Sequence, residues 1–388
     1  MTRLGDVCEK IGSGATPRGG KEAYKDAGIP IIRSQNIHDW VFQPDGLAFL
    51  DDEQAESLSN VEVRSNDVLL NITGDSVARA CIVPSERIPA RVNQHVVIVR
   101  AGKEINPTYL LASLQSKKTT LLSLASSGAT RNALTKRMIE NLDIDLPSRE
   151  IQDSIAQVLD SIQYKITLNN RLNDYLEQLV DGKFQELFGG LNFNATLSDV
   201  AEITMGQSPA GSSYNEEGAG IIFYQGRGEF GWRFPKRRLY TTEPKRLACE
   251  GDVLMSVRAP VGDLNVAFEN CCIGRGLAAI HSETPSFALY LMRFLKPQLE
   301  AYNGEGTVFG SINGKALKSL EVALPSHNEV MQFESFAAPI DALIRSNENE
   351  TRKLNNLRNY LLPKLMSGEI DVSKVDLTQL TNNHLADC

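Results

Sequence analysis

The chain carries one pattern twice. LGDV at Leu4 to Val7 returns as LSDV at Leu197 to Val200, and each is followed by a short glycine-containing loop ending in proline, GSGATP from Gly12 and MGQSP from Met205. DVLLNI from Asp67 returns as DVLMSV from Asp252, and LDIDLPS from Leu142 as LEVALPS from Leu320. The offset between copies falls from about 193 residues to about 178, a drift expected of small loop deletions. A repeat of that length is a domain plus a helix, not one turn of a solenoid. Two related but non-identical modules predict a pseudo-twofold object, a shape suited to a long, nearly symmetric ligand such as duplex DNA.

The 388 residues leave room for two or three domains with their own cores. No apolar run approaches the ~20 residues of a membrane helix, and the first residues do not resemble a signal peptide. The six cysteines, at 8, 81, 249, 271, 272 and 388, show no metal-knuckle spacing and no regular framework. A reduced, cytoplasmic protein is expected. The net charge of −8 is not that of a generally basic DNA binder. Its distribution is uneven: residues 1–147 carry 17 basic and 18 acidic side chains and 190–325 carry 13 and 14. The excess lies in 148–189, with 4 against 7, and in 326–388, with 6 against 9. Near-neutral modules can still present a local basic face.

Short Ile, Val and Phe runs between Gly, Pro, Asn and Asp punctuation predict mixed, mostly β modules. They also hold a helix from Pro107 capped by Asn106, and its counterpart near Pro285. The expected organisation is a first module over 1–147, a helix over 148–189, a second module over 190–325, a helix over 326–370 and a polar tail over 371–388. In the first helix Ile151, Ile155, Val158, Ile162, Leu172, Leu176 and Leu179 alternate by four and three, a coiled-coil seam whose missing positions are Lys165 and Asn169. The second seam runs through Val330, Phe333, Ala337, Ile340 and Ile344, turns polar at Asn347 and Thr351, and resumes at Leu354 and Leu357. Polar positions in mid-seam either fix register by burial or reach solvent at a frayed turn. Forty residues span about 60 Å at ~1.5 Å each, and Pro363 and Gly368 are expected to end the second helix.

These features together resemble the specificity (S) subunit of type I restriction–modification systems. The resemblance covers about residues 4–370 and is carried by the duplicated opening motif, GIPIIRSQNI from Gly28, VNQHVVIVR from Val92 and the stretch from Ser127 to Asp160 with its looser copy from Gly306 to Asp341. It implies an α+β chain with two β-rich target-recognition domains joined by two long antiparallel coiled-coil helices. It also implies that each domain reads half of a bipartite, asymmetric site on double-stranded DNA. The helices would space the domains and dock two DNA-methyltransferase subunits, with restriction/translocase subunits joining the full complex. The chain itself would be non-catalytic, and S-adenosylmethionine, ATP and Mg would belong to the partners. The second copy departs from the pattern, with GEGTVFGS from Gly304 for the SGATR loop and CIGRG from Cys272 for VNQH.

Catalytic constellations are missing from the sequence. GRGEFG at Gly226 to Gly231 fits GxGxxG, but Trp232 to Pro235 cannot open the helix that would hold a pyrophosphate. NPTY at Asn106 to Tyr109 is close to NPPY of adenine methyltransferases, yet a helix cap accounts for it. Walker A, HExxH, GxSxG and zinc-finger spacings are absent, and the five histidines have no repeated carboxylate or cysteine partner, so no metal is expected. The signal for DNA is local. Tyr224 to Arg246 holds Arg227, Arg233, Lys236, Arg237, Arg238, Lys245 and Arg246 against Glu229 and Glu243, interleaved with aromatic residues. In the first module Arg33, Gln35 and Asn36 suit base edges, while Arg131, Lys136 and Arg137 suit phosphates. Arg79, Arg258 and Arg275 are weaker candidates.

Half-sites about 10 bp apart, with about 3–4 bp read by each module, would leave an unread gap of about 6–7 bp. Apolar residues beside the seam, such as Leu159, Ile166, Tyr175, Phe336 and Leu343, invite further helices. A pair of β-modules that scaffold other proteins or bind carbohydrate is the alternative.

Overall fold

The computed structural model of the chain describes residues 1–126, 132–304 and 310–372. The chain divides into two compact units, Met1–Leu168 with Glu350–Cys388, and Asn169–Asn349. Each holds one mixed module and part of each of two forty-residue helices, Arg149–Phe188 and His327–Met366. Among the described residues no helix is long and apolar enough to cross a membrane.

In the first unit, Cys8–Ser13, Val96–Ala101, Val68–Asn71 and Ala80–Ile82 form an antiparallel four-stranded sheet in that order. Its central strands are apolar at consecutive positions because both faces are covered. Val68, Leu70, Val97 and Val99 face a core shared with helices, while Leu69, Val96 and Ile98 face a second core. The second sheet has the order Ala48–Leu50, Ile29–Ile32, Ala90–Val92, Glu62–Val63. Its middle pair is parallel, with Ile31 opposite Arg91 and Ile32 opposite Val92.

The second unit repeats this plan. Glu202–Met205, Leu277–His281, Val253–Ser256 and Leu264–Val266 make the four-stranded sheet. Val253, Met255, Ala278 and Ile280 face one core, and Leu254, Leu277 and Ala279 face the other. Ile221–Tyr224 and Cys271–Ile273 are the parallel pair of a five-stranded sheet.

Helix Pro107–Ser116 starts on Asn106, whose side-chain oxygen accepts from the Thr108 and Tyr109 N–H groups at 2.8 and 3.2 Å. Helix Pro285–Phe294 has no such cap of its own. Glu334 of the second long helix supplies it, accepting from the Ser286 and Phe287 N–H groups at 3.2 and 2.8 Å. Partial burial pushes the Glu334 carboxyl above its usual range, and those two hydrogen bonds oppose the shift.

Within each unit the two long helices lie antiparallel. In the first, Arg358 donates to Gln163 at 2.6 Å and Lys165 meets Glu350 at 3.4 Å, while Ile155 and Leu159 share a core with Leu362 and Leu365. In the second, Phe184 and Phe188 stack edge-on against Phe333, with centroids 5.4 and 5.7 Å apart.

The buried stripe differs from the apolar count. Leu159 and Ile166 are buried, not surplus, whereas Ile151, Leu172, Leu179 and Leu357 are exposed. Asn169 and Asn173 occupy the stripe where Leu172 was expected to continue it. They can be buried because Asn347 donates to the Asn173 side-chain oxygen at 2.8 Å and accepts from Asn169 through its backbone oxygen at 3.5 Å. On the second helix Arg358 is buried one residue past Leu357 and lies over the Trp40 ring at 5.1 Å. Pro363 sits inside the last turn, and the reversal comes at Gly368, whose φ is +75°.

Candidate nucleic-acid interface

In each module the loops at one end of the four-stranded sheet are tied by the same backbone hydrogen bonds. Gly14 and Ala15 donate to Val96 and Val92 oxygens at 2.9 and 3.0 Å, and Gly206 and Gln207 donate to Leu277 and Ile273 at 2.9 and 3.0 Å. Asn93 donates to Ile32, and Gly274 to Tyr224; Leu134 donates to Ile72, and Ile312 to Val257. Isolated bridges Thr73 with Ala133 and Arg258 with Ser311 complete the match. Gly14 and Gly206 are the glycines of the duplicated opening motif, and the close approach explains them. A Cβ on Gly14 would lie 2.1 Å from the Val92 oxygen, and one on Gly206 would lie 2.2 Å from the Gly274 oxygen.

This shared frame carries different side chains in the two modules. In the first, Arg18, Gln94 and Asn132 are exposed, and Thr73 hydrogen-bonds His95 at 2.8 Å. In the second, Gln207, Arg258 and Arg275 are exposed, and among the described residues neither arginine has an ion-pair partner. Arg258 and Arg275, weak candidates from sequence, thus stand where the loops converge. Gln94 and Asn132 were missed, because VNQH and the residue after SGATR gave no charge signal.

Two expected DNA contacts are corrected. Asn36 is fully buried: its amide donates to Gln43 and Asp45 oxygens at 2.9 and 3.1 Å, and its oxygen accepts from the Arg33 N–H at 3.0 Å. Its amide N–H groups and its oxygen engage the backbone on both sides of it, so it does not reach a base. Arg233 is buried too, bridging Glu177 at 3.0 Å and Asp341 at 2.8 Å on the two long helices. Arg131 lies outside the described residues.

The other expected contacts remain at the surface, but most are already engaged. Arg33 and Gln35 both donate to the Gly46 oxygen. Lys136 pairs with Glu140 at 3.4 Å. Arg227 pairs with Asp263, Arg237 with Glu269, and Arg238 with Glu216 and Glu229. Three of these acids, Glu216, Asp263 and Glu269, come from outside the 224–246 segment, so its apparent excess of positive charge is largely balanced. Lys236 is exposed without an ion pair among the described residues. Exposed pairs of this kind are weak, and a phosphate can exchange for a carboxylate in them.

Burial and geometry bear on two further groups. Burial pushes the Cys8 and Cys271 thiols up to about 12, so they are not thiolate nucleophiles. His281 does have partners: its Nδ1 lies 2.6 Å from Asp252 Oδ1, with Cys249 alongside. Spacing hid this group because antiparallel pairing of Val253–Ser256 with Leu277–His281 brings it together.

The family model described as the type I restriction modification DNA specificity domain matches residues 1–178 and again 194–359. The chain belongs to this family. It is 29% identical to the putative type I restriction enzyme MjaX specificity subunit of Methanocaldococcus jannaschii, over 96% of this chain and 93% of that protein. Among solved structures, the HsdS subunit of Thermoanaerobacter tengcongensis is 27% identical over 95% of this chain and 96% of that one, with a TM-score of 0.36. The type I restriction–modification S subunit of M. genitalium is 14% identical over 94% of this chain and 95% of that one, with a TM-score of 0.60, and so shares the fold. Membership gives the chain a DNA sequence-specificity role as a non-catalytic recognition subunit with tandem domains.

Proposed function

We propose that this specificity subunit reads a bipartite, asymmetric DNA site, one half per module, and docks methyltransferase and restriction subunits through its long helices. The observation that carries this reading is the common loop frame furnished with different side chains, Gln94 and Asn132 in one module and Arg258 and Arg275 in the other. One frame twice means one mode of docking twice, and different side chains mean different half-sites. Arg can take guanine O6 and N7 together, and Gln or Asn can take adenine N6 and N7. Half-buried Arg33 and exposed Gln35, Lys136, Arg227, Lys236, Arg237 and Arg238 serve phosphates around them.

The helices act as an antiparallel coiled-coil ruler between modules related by pseudo-twofold symmetry, with a gap of about 6–7 bp. Support for docking comes from Tyr164, Leu168, Leu172, Tyr175 and Leu179 on the first helix and Leu343, Leu357 and Tyr360 on the second, all exposed. Exposed apolar area on this scale marks an interaction surface. S-adenosylmethionine, ATP and Mg belong to the docked subunits, and the assembly works in the cytoplasm.

The test is DNA binding by the chain assembled with its methyltransferase subunits. Affinity should fall steeply with salt. Replacing Arg258 or Arg275 by Ala should either cost about 1–3 kcal/mol with relaxed choice at one position, or lower the salt slope by about 1. Removing seven residues from each long helix should shorten the gap and leave both half-sites intact. Binding that ignores salt and both arginines would refute the reading.

A further inference from the structure

At the far end of the two central strands of each four-stranded sheet, away from the loop cluster, lies a second pair of corresponding sites. In the first module it is a closed ion network. Asp67 is fully buried; its Oδ2 accepts from the Arg64 N–H at 2.7 Å, and Arg100 donates to both its oxygens at 2.7 and 2.8 Å. Glu9 stands 3.5 Å from Arg64 and 4.0 Å from Arg100. Two carboxylates therefore face two guanidiniums.

The second module keeps the backbone and the aspartate and loses both guanidiniums. Asp252 takes the place of Asp67, and its Oδ2 accepts from the Cys249 N–H at 2.7 Å as Asp67 accepts from Arg64. Glu202 lies directly across the strand pair from His281, at the register position that Lys10 holds across from Arg100 in the first module, where Glu9 sits at a bulge. Cys249 stands for Arg64 and His281 for Arg100. Both replacements are metal-ligating side chains, and a Cys249 Sγ, an Asp252 oxygen and a His281 ring nitrogen all lie within 4.8 Å of one another.

We propose that the second module binds a divalent transition-metal ion, zinc by ligand type, through Cys249 Sγ, His281 Nδ1 and Asp252 Oδ1, with Glu202 or water completing four ligands. One thiolate, one imidazole and carboxylate oxygen are a zinc donor set. Charge argues the same way. Where the first module sets Arg100 against Asp67 with Lys10 across from it, the second sets His281 against Asp252 with Glu202 across from it, and a dication offsets the two carboxylates. The ring nitrogen and the Asp252 oxygen now share a proton at 2.6 Å. Two ligands on one tetrahedral zinc stand about 3.3 Å apart with bonds of ~2.0 Å. Binding thus expels that proton and opens the pair by well under one ångström. The half-exposed His281 ring and exposed Cys249 leave the ion a path in.

The ion acts as a staple. It ties the turn before Val253–Ser256 to the edge of Leu277–His281, as Arg100 does in the first module. It is independent of DNA reading, and its test does not depend on the DNA site.

The experiment uses the full-length chain freed of metal by chelation, then titrated with Zn²⁺ by calorimetry and with Co²⁺ by absorption. The expected result is one ion per chain, a cobalt–thiolate charge-transfer band, and a thermal midpoint raised by zinc. The Cys249→Ala variant should lose the band and bind zinc at least about tenfold more weakly, the scale on which even outer-shell partners matter. Because Cys249 is exposed, that variant should fold. The double variant Cys249→Arg, His281→Arg should regain the buried aspartate–arginine pair of the first module, stay folded and no longer respond to zinc. No ion bound by the native chain, or equal binding and an equal band in Cys249→Ala, would overturn the proposal.

Discussion

Arg233 donates to Asp341 at 2.8 Å with only 4% of the arginine exposed. The same guanidinium reaches Glu177 at 3.0 Å and the Tyr290 hydroxyl at 3.2 Å. A residue from the basic, aromatic segment of the second module thus rivets that module to both long helices. Removing it leaves the largely buried Asp341 without its counter-charge and Glu177 with Arg293 alone. Arg233→Ala should cost the second unit about 3–5 kcal/mol, against about zero for the exposed Lys236→Ala. Chemical denaturation followed by near-ultraviolet dichroism reads this difference. Equal, small effects would show that Arg233 is not a rivet.

Asn36 gives a parallel case in the first module. Its amide closes the loop to Gln43 and Asp45. Asn36→Ala should cost about 1–3 kcal/mol, because it strands three partly buried backbone groups. Salt dependence of DNA binding should stay unchanged in the folded protein. A change of sequence preference without loss of stability would instead make Asn36 a reader.

The pair Asn173 and Asn347 predicts non-additivity. Replacing either by Leu strands the other's buried amide and should destabilise by about 1–3 kcal/mol. Replacing both should recover most of that loss or exceed it, since a polar seam position gives up stability to fix register. A double-mutant cycle by thermal denaturation measures the coupling, and strict additivity would contradict the hydrogen bond.

Leu172, Tyr175 and Leu179 lie off the buried stripe. Changing all three to Ser should leave the thermal midpoint nearly unchanged, as surface substitutions do. Recovery of methyltransferase subunits with the chain should fall sharply. Full recovery would move the docking face elsewhere.

The repeat, the central strands and the helix starts were legible in the sequence because each has a local physical cause. Val68–Asn71 and Val253–Ser256 read as continuous apolar runs because both faces are buried. Asn106 before Pro107 is a cap that needs no tertiary information. Arg233 could not be told from Arg237 or Arg238, since their difference lies in what surrounds them. Glu177 and Asp341 wait for one, while Glu269 and Glu216 sit beside the others at the surface. Leu172 drew the apolar count away from Asn173 because hydrogen bonds across a helix pair leave no mark in composition. The Cys249, Asp252 and His281 group was hidden for a like reason, as strand pairing and not spacing assembles it.

Choice of a DNA sequence by this chain is read most directly from a base-modification map of cells with and without its gene. Methylation should vanish at one bipartite, asymmetric motif with a gap of about 6–7 bp. Arg258→Ala with Arg275→Ala should disturb one half of that motif and spare the other. An unchanged map in cells that express the chain with its methyltransferase subunits, or loss of a single continuous motif, would mean that the chain does not read a bipartite site.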